Sequence, residues 1–147
     1  MASSVELLLL ATAIQGNASL LSARASGSGL TPSTTPADIP GATLTFTTAN
    51  PNATVLAAGI FDCGCATTGT GLVVGTLVVD GSSQSPESTF GLVTANDRNS
   101  VAQVWAVTLA SAGSHTLKLQ GALTAASGTG SIHATHTGIA VLVLDVV

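Results

Sequence analysis

Val101-Ala102-Gln103-Val104-Trp105-Ala106-Val107-Thr108-Leu109-Ala110 alternates with a period of two. Val101, Trp105, Val107 and Leu109 share one face, and Ala102, Val104, Ala106 and Ala110 share the other. A pleated strand sends successive side chains to opposite sides, so this period marks a β-strand rather than a helix. Large residues point toward a core. The small ones on the reverse suit contact with a flat protein partner.

The same reading extends in both directions. Ala42, Leu44 and Phe46 alternate with Thr43, Thr45 and Thr47, as in a strand with one dry and one wet face. Ala53 to Cys63 and Gly71 to Asp80 are apolar on both alternations, which predicts strands covered on both sides. A shorter strand is expected around Ser88 to Thr94. The polar run Ala95-Asn96-Asp97-Arg98-Asn99 follows as an exposed loop with Arg98 as its basic tip. Ser111-Ala112-Gly113-Ser114 reads as a tight connection making a hairpin of 101–110 with His115 to Gln120. The aliphatic end of Ile132 to Val147 reads as a central strand. Ser22 to Gly41, with Pro32, Pro36 and Pro40, reads as an extended connector.

Six to eight such strands with no helical periodicity predict an antiparallel sandwich. The cysteine pair flanking a Trp that marks immunoglobulin domains is absent, which favours a jelly roll. The expected fold is all-β, a jelly-roll sandwich of about eight strands over residues 31–147, preceded by an extended N-terminal arm over residues 1–30. Within these 147 residues no second domain is expected.

Only ten residues are charged: Arg24, Arg98 and Lys118 against Glu6, Asp38, Asp62, Asp80, Glu87, Asp97 and Asp145. That is 7% of the chain, where an ordinary soluble domain has roughly a quarter. An isolated surface needs charge to stay dispersed, so the composition predicts a component of an assembly. A net charge of -4 with three scattered basic residues argues against a nucleic-acid surface. The cluster of Val5, Leu7, Leu8, Leu9, Leu10 and Ile14 follows Glu6 rather than Lys or Arg, unlike a secretory leader, and is too short to cross a bilayer. It is expected to be an assembly arm, strand or short helix, held by a neighbouring subunit, with no membrane partner.

Groups able to do chemistry are few. Cys63 and Cys65 are too close in sequence for an easy mutual disulfide and read as free, apolar fillers near a strand end. Gly69-Thr70-Gly71-Leu72-Val73-Val74-Gly75 has the wrong spacing for a phosphate loop and leads into a strand, so it reads as a turn. His133 and His136 are expected on opposite faces of one strand, and His115 at the end of the hairpin or packed between subunits. Asp62, Asp80, Glu87 and Asp97 are placed at strand ends or in loops, where a solvated carboxylate is the default. The expectation is no enzyme, no cofactor and no metal.

Four segments stand out together: Thr31-Pro32-Ser33-Thr34-Thr35-Pro36-Ala37-Asp38-Ile39-Pro40-Gly41, Leu77-Val78-Val79-Asp80-Gly81, Trp105-Ala106-Val107-Thr108-Leu109 with the following Ala112 to Leu119, and Val141-Leu142-Val143-Leu144-Asp145. They resemble the small jelly-roll structural proteins of tailed bacteriophages, which share their fold with the C1q and tumour-necrosis-factor modules. The resemblance implies a homotrimer packed through flat sheet faces, located in the virion after assembly in the host cytoplasm. Its partner would be the major capsid protein or another virion protein, and its role capsid decoration that stabilises the shell. Trimer and core strands would be those carrying Val104, Trp105, Val107, Leu142 and Leu144, with Asp97 and Arg98 in an exposed loop. With so few aromatic residues, Ala, Val and Leu would supply the contacts between subunits. The alternative is a tail-fibre or tail-tip module that binds a host receptor through its loops.

Overall fold

The computed structural model describes residues 18–145, which form nine strands and, among the described residues, no helix. The strands are β1 (Ala18–Arg24), β2 (Ala37–Thr48), β3 (Ala53–Thr67), β4 (Leu72–Val79), β5 (Ser82–Ser83), β6 (Ser88–Gly91), β7 (Arg98–Leu109), β8 (Gly113–Leu123) and β9 (Thr129–Leu144). One sheet has the order β1-β9-β3-β7, and the other the order β2-β8-β4-β5 with β6 also paired to β4. All pairs are antiparallel. The two sheets enclose one core, giving the all-β jelly-roll sandwich that the alternation predicts.

That core is built from the inward half of each alternation. β3 contributes Val55, Ala57, Phe61 and Cys63; β9 contributes Ile132, Ile139, Val141 and Val143; β7 contributes Trp105 and Leu109. From the other sheet come Leu77, Leu117 and Leu119, all fully buried. Phe61 lies flat over Gly75 of β4, where a Cβ would stand 2.6 Å from the ring. Only glycine permits so close an approach of strand and ring. Cys63 and Cys65 are free and buried, and burial, with Asp62 adding to it, pushes the Cys63 thiol up to about 12. Thiolate is the reactive form, so Cys63 behaves as an apolar filler.

Four expectations are corrected by the tertiary structure. β7 and β8 do not form a hairpin: they belong to different sheets, and residues 110–112 carry the chain across the sandwich. Large residues of both strands must reach one shared core from opposite sides, which a hairpin would prevent. The connector over Ser22 to Gly41 is partly sheet, since Ser22 to Arg24 belong to β1 and Ala37 to Gly41 open β2. Pro40 is tolerated because β2 is an edge strand, bulged between Asp38 and Thr43, with Gly41 at φ +79° absorbing the bend. Residues 18–30, placed with the arm on sequence, are part of the sandwich: β1 runs along β9, Leu30 bridges Ile132, and Leu21, Ala23, Ala25 and Leu30 pack on the core. Val5, Leu7, Leu8, Leu9, Leu10 and Ile14 lie outside the described residues. Finally, β4 is buried on both alternations as expected, and so is β3 over residues 61–65, but from Ala53 to Ile60 β3 is covered on one side only within the chain.

Candidate assembly face and its polar cluster

The uncovered side of β3 belongs to a continuous apolar surface. Strand register aligns it in rows across the first sheet: Leu20, Leu142, Leu56 and Ala106; then Ser22, Ala140, Ala58 and Val104; then Arg24, Gly138, Ile60 and Ala102. Leu20 is 78% exposed, Val104 62%, Ile60 45% and Leu56 40%. Arg24, at one corner, is the only charge in these rows. On the opposite side of the sandwich the outer face is polar, with Thr43, Thr45 and Thr47 of β2 beside Ser114, Thr116 and Lys118 of β8. Asp38 there accepts hydrogen bonds from Lys118 Nζ at 2.8 Å and Gln120 Nε2 at 2.7 Å. One outer face is therefore polar and the other apolar.

Of the five residues assigned by sequence to trimer and core strands, Val104, Leu142 and Leu144 point to this outer face. Trp105 and Val107 point inward, with Trp105 Nε1 donating to Pro86 O at 2.7 Å.

The apolar rows end in a polar cluster. Asp62, next but one after Ile60 on β3, is 3% exposed at its side chain and sits in mid-strand, not at a solvated strand end. Arg98, the first residue of β7, donates from Nε at 2.8 Å and also from Nη2 to the two carboxylate oxygens. The expected free basic tip is thus committed to a buried acid, because the register sets Arg98 opposite Gly64, two residues along from Asp62. His136 places Nδ1 3.1 Å from Asp62 Oδ2. The expectation that His133 and His136 occupy opposite faces fails for a local reason: between Ile60 and Asp62 the register on β9 jumps from Gly138 to His133. Three extra residues on β9 reset the alternation. Thr137 closes this bulge, its Oγ1 accepting from Asp62 N at 2.9 Å and donating to His133 O at 2.7 Å. Nothing in the local sequence marks it except a Thr-rich, β-branched context.

The Arg98 fork, aided by the hydrogen bond from His136, holds the Asp62 carboxyl below its ordinary value of 3.8 despite burial, which acts the other way. Its stabilising contribution is complete above the unfolded value and is lost as pH falls through the lower folded one. Arg98→Met is therefore expected to destabilise the fold at neutral pH and to shift acid unfolding to higher pH. An acid midpoint that does not move, followed by circular dichroism, would show that the pair contributes nothing.

Asp80 and Asp145 are also engaged in structure. Asp80 accepts from Thr116 N at 2.8 Å and lies 2.7 Å from Nδ1 of buried His115, whose Nε2 is 3.1 Å from Ser111 O, so His115 ties the crossover turn to β4. Asp145 accepts from Ala49 N and Asn50 N and anchors the β2–β3 turn. Asp97, in the loop before β7, is exposed as expected. Ser131 Oγ and His133 Nε2 are 3.0 Å apart beside a hollow of about 270 Å³ that Asn96, Asp97 and Arg98 also line. A serine–imidazole pair needs a carboxylate to orient the ring. Asp62 is bonded to Arg98 and His136 instead. Among the described residues no three His, Cys, Asp or Glu side chains group closely enough for a metal ion, and no helix is long and apolar enough to cross a membrane.

No protein-family model and no curated protein sequence matches the chain. Among solved structures it is similar to dimeric latent PorU from Porphyromonas gingivalis, with TM-score 0.53 and 10% identity over 88% of this chain and 13% of that one. Eiger TNF from S. frugiperda matches with TM-score 0.50 and 9% identity over 87% of this chain and 92% of that one. A chain of infectious bursal disease virus Gx strain matches with TM-score 0.48 and 9% identity, over 87% of this chain and 33% of that one. At such identities the likeness shows the fold alone. It is the jelly roll shared with TNF-type modules.

Proposed function

We propose that the chain is a virion structural protein of the capsid-decoration type, which forms a homotrimer through the outer face of the β1-β9-β3-β7 sheet and stabilises a capsid from outside. The observation that carries this reading is the apolar face itself: three rows made mostly of Leu, Ile, Val and Ala, with Ser22, Arg24 and Gly138 toward one end, open in a single chain, opposite a Thr-rich face suited to solvent. Two further points support it. The chain has too few charges to keep such a face dispersed alone, and its segments resemble the jelly-roll structural proteins of tailed phages, whose modules imply a trimer. On this reading the chain is no enzyme, and its partners are sister copies and a capsid protein, with neither nucleic acid nor membrane involved.

The test is the mass of the purified chain in solution and its binding to preformed capsids. We expect a three-chain mass that survives about 1 M NaCl, where screening reaches down to roughly 3 Å and ion pairs on a surface fail. Apolar contact is not weakened by salt. A single-chain mass, or dispersal by salt, overturns the reading. Binding to host cells but not to capsids would favour the receptor-binding alternative.

A further inference from the structure

Resting on that assembly through the sheet face, we propose that Arg24 of one copy pairs with Glu87 of the next, so that the β1 side of each subunit meets the β6–β7 side of its neighbour. Most charges are matched inside the subunit. Asp38 is bound to Lys118, Asp62 to Arg98, Asp80 to His115 and Thr116, and Asp145 to the β2–β3 turn. Asp97 accepts a hydrogen bond from Arg98 N at 2.9 Å. The side chains of Arg24 and Glu87, both on exposed residues, form no ion pair or hydrogen bond among the described residues.

Strand pairing sets these two charges at one height and at opposite ends of the sandwich. Arg24 aligns through Gly138 and Ile60 with Ala102 of β7. Phe61, beside Ile60, lies over Gly75, and Gly75 pairs with Ser88, the residue after Glu87. On the other side of Glu87, Pro86 O accepts from Trp105 Nε1 of β7 at 2.7 Å. Glu87 thus flanks β7 near the level of Ala102, whereas Arg24 is on the far edge of the same sheet. Within one subunit they cannot meet, since three strand spacings of about 4.8 Å separate β1 from β7 and Glu87 stands beside the other sheet, about 10 Å behind. Rotation about an axis along the strands preserves height and brings the β1 side of one copy to the β6–β7 side of the next. Such a contact joins two different surfaces and closes a ring when the rotation closes.

Arg24 is also the charge that assembly must answer. Covering it with apolar rows and no acid would bury an unmatched guanidinium, which opposes association. The neighbour's carboxylate removes that penalty, accepts forked hydrogen bonds and fixes the order of subunits in the ring. Enclosed beside Ile60 and Ala58, the pair is screened far less than a surface pair, so the assembly still withstands salt.

Sedimentation velocity of the whole chain at micromolar concentration tests the pairing by exchanging its charges. Arg24→Glu and Glu87→Arg are each expected to weaken association at least about thirtyfold per contact and to run as single chains, folded by circular dichroism. The double variant Arg24→Glu with Glu87→Arg is expected to recover the parent's mass. Glu87→Gln, whose side chain bonds to nothing within the subunit, keeps the fold and is expected to weaken association as well. Asp97→Asn is expected to assemble like the parent. The proposal is overturned if either single reversal keeps the parent's mass, if the double variant stays dissociated, or if Asp97→Asn dissociates as Glu87→Arg does. A single-chain mass for the parent overturns the assembly reading itself, and this proposal with it.

Discussion

Leu56→Glu is expected to leave a folded subunit that no longer assembles. Leu56 stands in mid-sheet between Leu142 of β9 and Ala106 of β7, and its side chain is partly exposed in the single chain. A glutamate there can reach water in the separated state, so the cost to folding is on the order of 1 kcal/mol of lost apolar contact. In the assembly the carboxylate would be enclosed by Leu20, Leu142 and Ala106, with no cation in its row or the next. An uncompensated buried ion costs several kcal/mol per copy, and about 3 kcal/mol already weakens association more than a hundredfold. Sedimentation should show one chain at micromolar concentration, with a cooperative thermal transition retained. Leu56→Val should remain assembled. If Leu56→Glu keeps the parent's mass, this face is not where copies meet.

Phe61→Ala produces the other large effect, this time on the subunit itself. Phe61 is fully buried at the middle of β3 and its ring covers Gly75 on the opposite sheet, so it bridges the layers. Removing the ring forfeits its burial and leaves a cavity that strands held by backbone ladders cannot collapse to fill. The expected loss is about 3 to 5 kcal/mol. Against a total of about 5 to 15 kcal/mol, this is a large share of the stability. Guanidinium unfolding at fixed chain concentration should show a lower midpoint at nearly unchanged slope. Gly75→Ala should harm the parent by pushing a methyl into the ring, and harm Phe61→Ala much less, because the two sites share one contact. A loss under about 1 kcal/mol in Phe61→Ala would mean the layers are held elsewhere.

Much of the architecture is legible in the sequence because strand alternation is a local property. In Val101 to Leu109 the large residues face inward and Ala102, Val104 and Ala106 outward, as period two requires. The aliphatic run ending at Leu144 is a central strand between β1 and β3. Cys63 and Cys65 are buried, unpaired fillers. Local pattern misleads where a partner distant in sequence sets the outcome. Asp62 reads as a solvated acid because its partner Arg98 is 36 residues away and His136 is 74 away. Turn residues after Leu109 suggest a hairpin, but a short turn serves equally to cross between sheets.

By itself, then, the order of residues determined most of the strands, the inward and outward half of each, and a shortage of charge. These follow from short-range pleat geometry and from composition, neither of which needs to know where the chain goes next. Only the tertiary structure decided that β7 and β8 part company, that β1 joins the sheet, and that Asp62, Arg98 and His136 converge at the end of the apolar rows. The physical reason lies in register. A bulge of three residues closed by Thr137 reverses which side of β9 a side chain occupies, and its hydrogen bonds link residues far apart in sequence.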